Sequence, residues 1–122
     1  MNAAGQWAAV AAVGGLAALA RFRLDAAVSS RLRGDLPWGT LAVNLLGALG
    51  AGLVAAVAPG ETWRLLLVVG ALGSFSTFST WMLETQRLAE DGRAGLAVVN
   101  LVASMTGGPA LCGLGWWLGN GL

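Results

Sequence analysis

The sequence has 122 residues, 57% of them hydrophobic, with seven arginines, six acidic residues, no histidine, a single cysteine and a formal net charge of +1. Cys112 therefore has no partner for a disulfide within the chain and no companions for a cysteine metal centre. The absence of histidine removes the commonest catalytic base, and the near-neutral charge gives no case for nucleic acid, so an enzyme is not expected.

Charge patterning sets the fold class. The thirteen charged residues fall within 21–35, 61–64 and 84–93, leaving uncharged blocks at 1–20, 36–60, 65–83 and 94–122. A helix crossing a hydrocarbon core of ~30 Å needs about 20 apolar residues, and each block is that long or nearly so. A soluble helical protein would instead spread charge along its helices with a period near 3.6. The expectation is an all-α membrane protein of four transmembrane helices, with residues 1–122 forming one domain.

Helix 1 is predicted over 4–24; it lacks a basic segment ahead of its apolar run, so it reads as a membrane helix and not a signal peptide. Helix 2 is predicted over 38–58, punctuated by Pro37 and by Pro59-Gly60. Helix 3 covers 62–88, and helix 4 covers 94–118 after the Asp91-Gly92 turn. Small residues at Ala11, Gly15 and Ala18, and at Gly47, Ala48, Ala51 and Gly52, mark expected helix contacts, since helices in lipid associate by close backbone approach. Trp7, Trp38, Trp63, Trp116 and Trp117 lie near helix ends, where indoles favour the membrane interface.

Helix 3 departs from apolar filling. Residues Gly73-Ser74-Phe75-Ser76-Thr77-Phe78-Ser79-Thr80 place five hydroxyls among the seven positions 74–80. One or two such residues are commonly absorbed by bonding back to a carbonyl one turn earlier. Five together, preceded by Gly70 and Gly73, predict a helix broken near its middle, because irregular backbone at membrane depth is tolerated only where protein buries it or water reaches it. Asn44 and Asn100 are further polar residues inside apolar helices, and Asn100 reads as interhelical glue.

These pieces resemble the Fluc (CrcB) fluoride channels. The resemblance runs from Gly14 to about Gly115 and rests on Gly14-Gly15 through Arg21, on Pro37-Trp38-Gly39-Thr40-Leu41-Ala42-Val43-Asn44-Leu45-Leu46-Gly47, and on Gly73 through Glu84. It implies a multi-pass protein of the inner (plasma) membrane that lowers cytoplasmic fluoride by passive export. It also implies an antiparallel dimer of dual-topology type, with two pores and a structural Na⁺ at the dimer centre. Carried over by position, the resemblance puts Asn44 and Phe78 along the pore, Arg21 at its vestibule, and Gly73 and Ser76 on the Na⁺; Thr77, Ser79, Thr80 and Trp81 complete the expected pore lining. Trp81 stands where the family pattern has phenylalanine, and Gly108 and Cys112 stand where it tends to have Ser or Thr. Pro109 between them is expected to disturb helix 4.

Six arginines (Arg21, Arg23, Arg31, Arg33, Arg87 and Arg93) fall on the side of the first and third loops, against Arg64 on the other. The positive-inside rule then favours a single orientation, with those loops cytoplasmic. The partner is accordingly either a second copy or a paired, oppositely inserted homologue. A small multidrug-resistance-type proton-coupled cation exporter has the same size and helix count, but such exporters use an acid embedded in helix 1, and residues 1–20 contain none.

Overall fold

The structure, a computed structural model, describes residues 2–121. Four helical runs are long and apolar enough to cross a membrane. Helix α1 is Ala3–Arg31, α2 is Trp38–Val57, α3 covers residues 61–75, α4 is Ser79–Glu90 and α5 is Ala94–Asn120. The third crossing is shared by α3 and α4.

Local chemistry explains the boundaries. Asn2 caps α1 by accepting from the Gly5 N–H at 2.7 Å, the usual service of an asparagine at a helix start. Pro37 precedes α2, where its missing donor costs nothing. Ala58 turns to extended backbone ahead of Pro59, as a residue before proline prefers. Gly92 takes φ +75 at the end of α4. The Arg93 N–H returns to the Leu88 carbonyl at 2.8 Å, which closes that helix with a left-handed cap.

The structure revises two expectations, one of them a boundary. Helix α1 runs to Arg31 and not to residue 24, because Arg21, Arg23 and Asp25 do not oppose helix formation; they mark only where the apolar zone ends. Pro109 lies inside α5 without interrupting it, so the expected disturbance is not found.

The inner seam lies between α2 and α5. Gly52, Gly115 and Gly119 are buried there. A Cβ on Gly52 would fall on the Cys112 carbonyl, and one on Gly115 would fall on the Leu49 carbonyl. The two backbones therefore touch, as small residues permit in lipid. On the other flank α1 meets α3 through Gly14, where an added Cβ would come 2.9 Å from the Ser74 hydroxyl. Gly14, with Val10 and Val13 against Gly70, makes this contact, whereas Gly15 of the predicted row has nothing within 4 Å. Gly47 and Gly52 of the predicted row on α2 are buried. The five predicted interfacial tryptophans are all exposed.

Asn100, 0% exposed, links α5 to α4 by donating to the Thr85 hydroxyl at 2.8 Å. Within α3, Leu65–Leu72 is wound as a π-helix. That form is seen mostly as single turns near functional sites, and here it leads directly into the hydroxyl-rich segment.

Candidate functional site

Between α3 and α4 the chain leaves the helical path at Ser76, whose φ of −80 and ψ of 157 are extended. Regular helix resumes at Ser79. An interruption must find new partners for the peptide groups that it releases. Asn44, on the face of α2 opposite, supplies two of them. Its Oδ1 accepts from the Thr77 N–H at 2.7 Å, and its Nδ2 donates to the Thr77 carbonyl at 2.8 Å. The Thr80 N–H donates to the Thr77 hydroxyl at 3.3 Å, so Thr77 also caps the start of α4. Ser76 bonds back to the Leu72 carbonyl through both its N–H, at 3.0 Å, and its hydroxyl, at 2.9 Å.

In an unbroken helix the N–H groups of Thr77 and Thr80 would close onto the carbonyls of Gly73 and Ser76. Both donors are turned elsewhere, which frees the oxygens of those two residues. Gly73 and Ser76 are also exposed in the single chain.

One turn before Asn44, the buried Thr40 donates to a Glu84 carboxylate oxygen, a bond from a neutral hydroxyl to an acid. Helix α2 thus fixes the interruption through Asn44 and α4 through Thr40. The spacing of four residues puts both side chains on one face of α2.

Two cavities flank the interruption. A cavity of about 190 Å³ is lined by Arg21, Phe22, Asp25, Thr40, Val43, Thr77 and Thr80. A second, of about 230 Å³, is lined by Asn44, Ser76, Thr77, Phe78, Trp81 and Ser104. Thr77 borders both. Among the described residues no cluster of acids and cysteine is placed to hold a metal ion.

Phe78 is 70% exposed. Its ring meets that of Trp81 with centroids 5.6 Å apart and planes at 75°, the edge-to-face arrangement that aromatic quadrupoles favour. The indole N–H of Trp81 donates to the Asn100 carbonyl at 3.2 Å. Thr85 donates its hydroxyl to the Trp81 carbonyl at 2.8 Å, so the residue is pinned at both ends. The extra donor brought by indole is consumed within the protein.

Of the residues predicted from sequence, Arg21, Thr77 and Thr80 come together in the first cavity. Asn44, Ser76, Thr77, Phe78 and Trp81 meet in the second. Ser79 and Gly73 line neither. Gly108 and Cys112 also lie outside both, and the Cys112 carbonyl packs instead against Gly52. Sequence reasoning passed over Thr40, Asp25 and Ser104 as site residues. Thr40 was within reach, one turn from Asn44 in the same motif. Ser104 carries a hydroxyl that is buried yet has no partner, and it faces the second cavity from α5.

The family description "CrcB-like protein, Camphor Resistance (CrcB)" matches residues 8–116. The chain belongs to the CrcB-like family. Among its curated relatives, "Fluoride-specific ion channel FluC 2" of Mycobacterium tuberculosis (strain ATCC 25618 / H37Rv) is 43% identical over 112 residues, covering 92% of this chain and 89% of the relative. "Fluoride-specific ion channel FluC" of Geobacter sulfurreducens is 41% identical over 116 residues, covering 91% of this chain and 90% of its own length. "Fluoride-specific ion channel FluC 1" of Rubrobacter xylanophilus is 45% identical over 96 residues, with 77% of each chain covered. With four membrane-crossing helical runs, this CrcB-like protein is a multi-pass integral membrane protein.

Proposed function

We propose that the chain is a passive fluoride channel of the plasma membrane that works as an antiparallel dimer, with itself or with a paired homologue. The observation that carries this reading is the Asn44 clamp on Thr77. It holds a transmembrane helix open at a hydroxyl-rich segment, between two cavities that share Thr77.

Fluoride is a small, strongly hydrated anion, and removing its water in a low-dielectric path costs several kcal/mol or more unless donors replace it. Thr77, Thr80 and Ser104 bring hydroxyls to the two cavities, whereas that of Thr40 is spent on Glu84. Phe78 and Trp81 add ring edges, whose hydrogens are partly positive. Arg21 supplies a positive charge at the first cavity. With its indole N–H bound to Asn100, Trp81 serves through its ring and not as a hydrogen-bond donor. Export requires no pump, because about 100 mV, negative inside, drives a single negative charge outward by about 2.3 kcal/mol.

The freed carbonyls of Gly73 and Ser76 suit a hard cation, which takes oxygen ligands. A structural Na⁺ would be held by these two carbonyls together with their counterparts in the partner chain, and it would neutralise oxygens left without donors. The hydroxyl of Ser76, already bound to Leu72, is not needed for this.

The deciding experiment reconstitutes the purified chain in proteoliposomes, follows efflux with a fluoride electrode, and repeats the measurement with chloride and with a cationic dye. Fluoride efflux that far exceeds chloride efflux, without dye transport, is expected. Dye transport driven by a proton gradient, or no fluoride efflux from the chain alone or co-reconstituted with a paired homologue, would overturn the proposal.

A further inference from the structure

The first cavity holds a charge that works against an anion. Asp25 lies one turn after Arg21 on α1 and lines the same cavity as Arg21, Thr40, Thr77 and Thr80. Its side chain is half-buried and packs over Gly39, where an added Cβ would collide with its Oδ1. It accepts one hydrogen bond, from the Ser29 hydroxyl at 3.2 Å. Arg21 does not close onto it: among the described residues the only ion pair is Arg93 with Asp35. The Asp25 carboxylate is also near enough to that of Glu84 for the two to repel.

Position matters as much as sign. Helix α1 has 29 residues. With a rise of about 1.5 Å per residue it spans about 43 Å, well beyond a hydrocarbon core of about 30 Å. The C-terminal stretch of the helix from Arg21 onward, which carries Asp25, therefore stands where the apolar zone gives way to water. A charge at such a mouth acts on arriving ions through a field that salt can screen.

We propose that Asp25 is a rate-setting residue, a fixed negative charge that partly cancels the attraction of Arg21 and throttles the arrival of anions at the cavity. This rests on the fluoride-channel reading and names a control point within it. Asp25 touches neither Asn44 nor Phe78 through any hydrogen bond, so its influence travels by charge.

The test compares the unaltered chain with D25N and D25K in proteoliposomes, measuring initial fluoride efflux at about 10 mM and about 300 mM of an impermeant salt. The Debye length shrinks from about 30 Å to well under about 10 Å over that range. At low salt D25N is expected to raise efflux about three- to tenfold and D25K further, with both gains falling below about twofold at high salt. A purely structural role for the Asp25–Ser29 bond would lower efflux in both variants, or change it equally at the two salt concentrations, and either result would overturn the proposal. If D25N purifies poorly, D25K alone decides, since its sign and its salt dependence are both read. Failure of the unaltered chain to conduct fluoride would instead refute the channel reading and is seen separately.

Discussion

Replacing Asn44 by leucine keeps the branched shape of the side chain and removes both hydrogen bonds to Thr77. The Thr77 N–H and carbonyl, part-buried in the structure, then have no partner within the protein. Each buried, unsatisfied group costs about 1–3 kcal/mol, so the open arrangement loses about 2–6 kcal/mol. The chain has an escape: Thr77 N–H can return to the Gly73 carbonyl and Thr80 N–H to that of Ser76, re-forming a continuous helix. With a tenfold change for about every 1.4 kcal/mol, even the lower bound shifts the open population about thirtyfold. Fluoride efflux from proteoliposomes should fall at least that much, while the protein still elutes at the native position. Efflux within about twofold of the unaltered chain would show that the interruption does not depend on Asn44.

Ser76→Ala should leave efflux and any Na⁺ requirement within about threefold, because the hydroxyl spends itself on Leu72 and the carbonyl survives; loss of Na⁺ dependence in flux assays at varied Na⁺ would assign the ion to the hydroxyl. Gly115→Ala places a methyl on the Leu49 carbonyl, whereas Gly113→Ala meets nothing within 4 Å. The first should cost about 1–3 kcal/mol and lower the apparent Tm in detergent by about 5 °C or more, and the second should not. Cysteines introduced at the two ends of the chain, in a Cys112→Ser background, should label from outside intact cells in one pattern only if the arginine bias fixes orientation; equal labelling and blocking fractions would mean dual insertion.

Four crossings were legible because charge is excluded from the hydrocarbon core, a constraint strong enough to be read from the positions of thirteen residues. The ends of α1 were not, since a helix continues past the membrane wherever propensity allows, and Arg23 through Arg31 contain nothing that stops it. Pro109 misled for a related reason. A proline removes one bond from a helix, but in a membrane neighbouring groups can absorb the loss, and α5 stays helical through it. Asn44 and the hydroxyl run stood out as polar residues among apolar ones, yet their pairing did not. That Asn44 grips the backbone of Thr77, 33 positions later, depends on how α2 lies against the interruption, which no local pattern encodes. Ser104 was hidden by the same limit, because one serine in an apolar helix looks alike whether it faces lipid, carbonyl or cavity.

Opening a helix releases donors and acceptors together, and a path for anions tolerates only the donors. Carbonyl oxygens are the negative ends of the peptide dipoles, so one turned toward the path would repel the ion that the hydroxyls attract. Thr77 is where this conflict is sharpest, since it borders both cavities. Asn44 Nδ2 covers its carbonyl, while Oδ1 accepts the Thr77 N–H and keeps the peptide in place. The carbonyls of Gly73 and Ser76, left without donors, are the ones that a cation would neutralise. Masking an oxygen is thus as much a part of the clamp as holding the backbone, and the two roles separate in Asn44→Asp. Aspartate keeps an acceptor for the Thr77 N–H but uncovers the carbonyl and adds a negative charge beside it. If anchoring alone mattered, this variant would retain far more efflux than Asn44→Leu. The masking role predicts that it falls at least as far, and fluoride efflux from the two variants side by side distinguishes these outcomes.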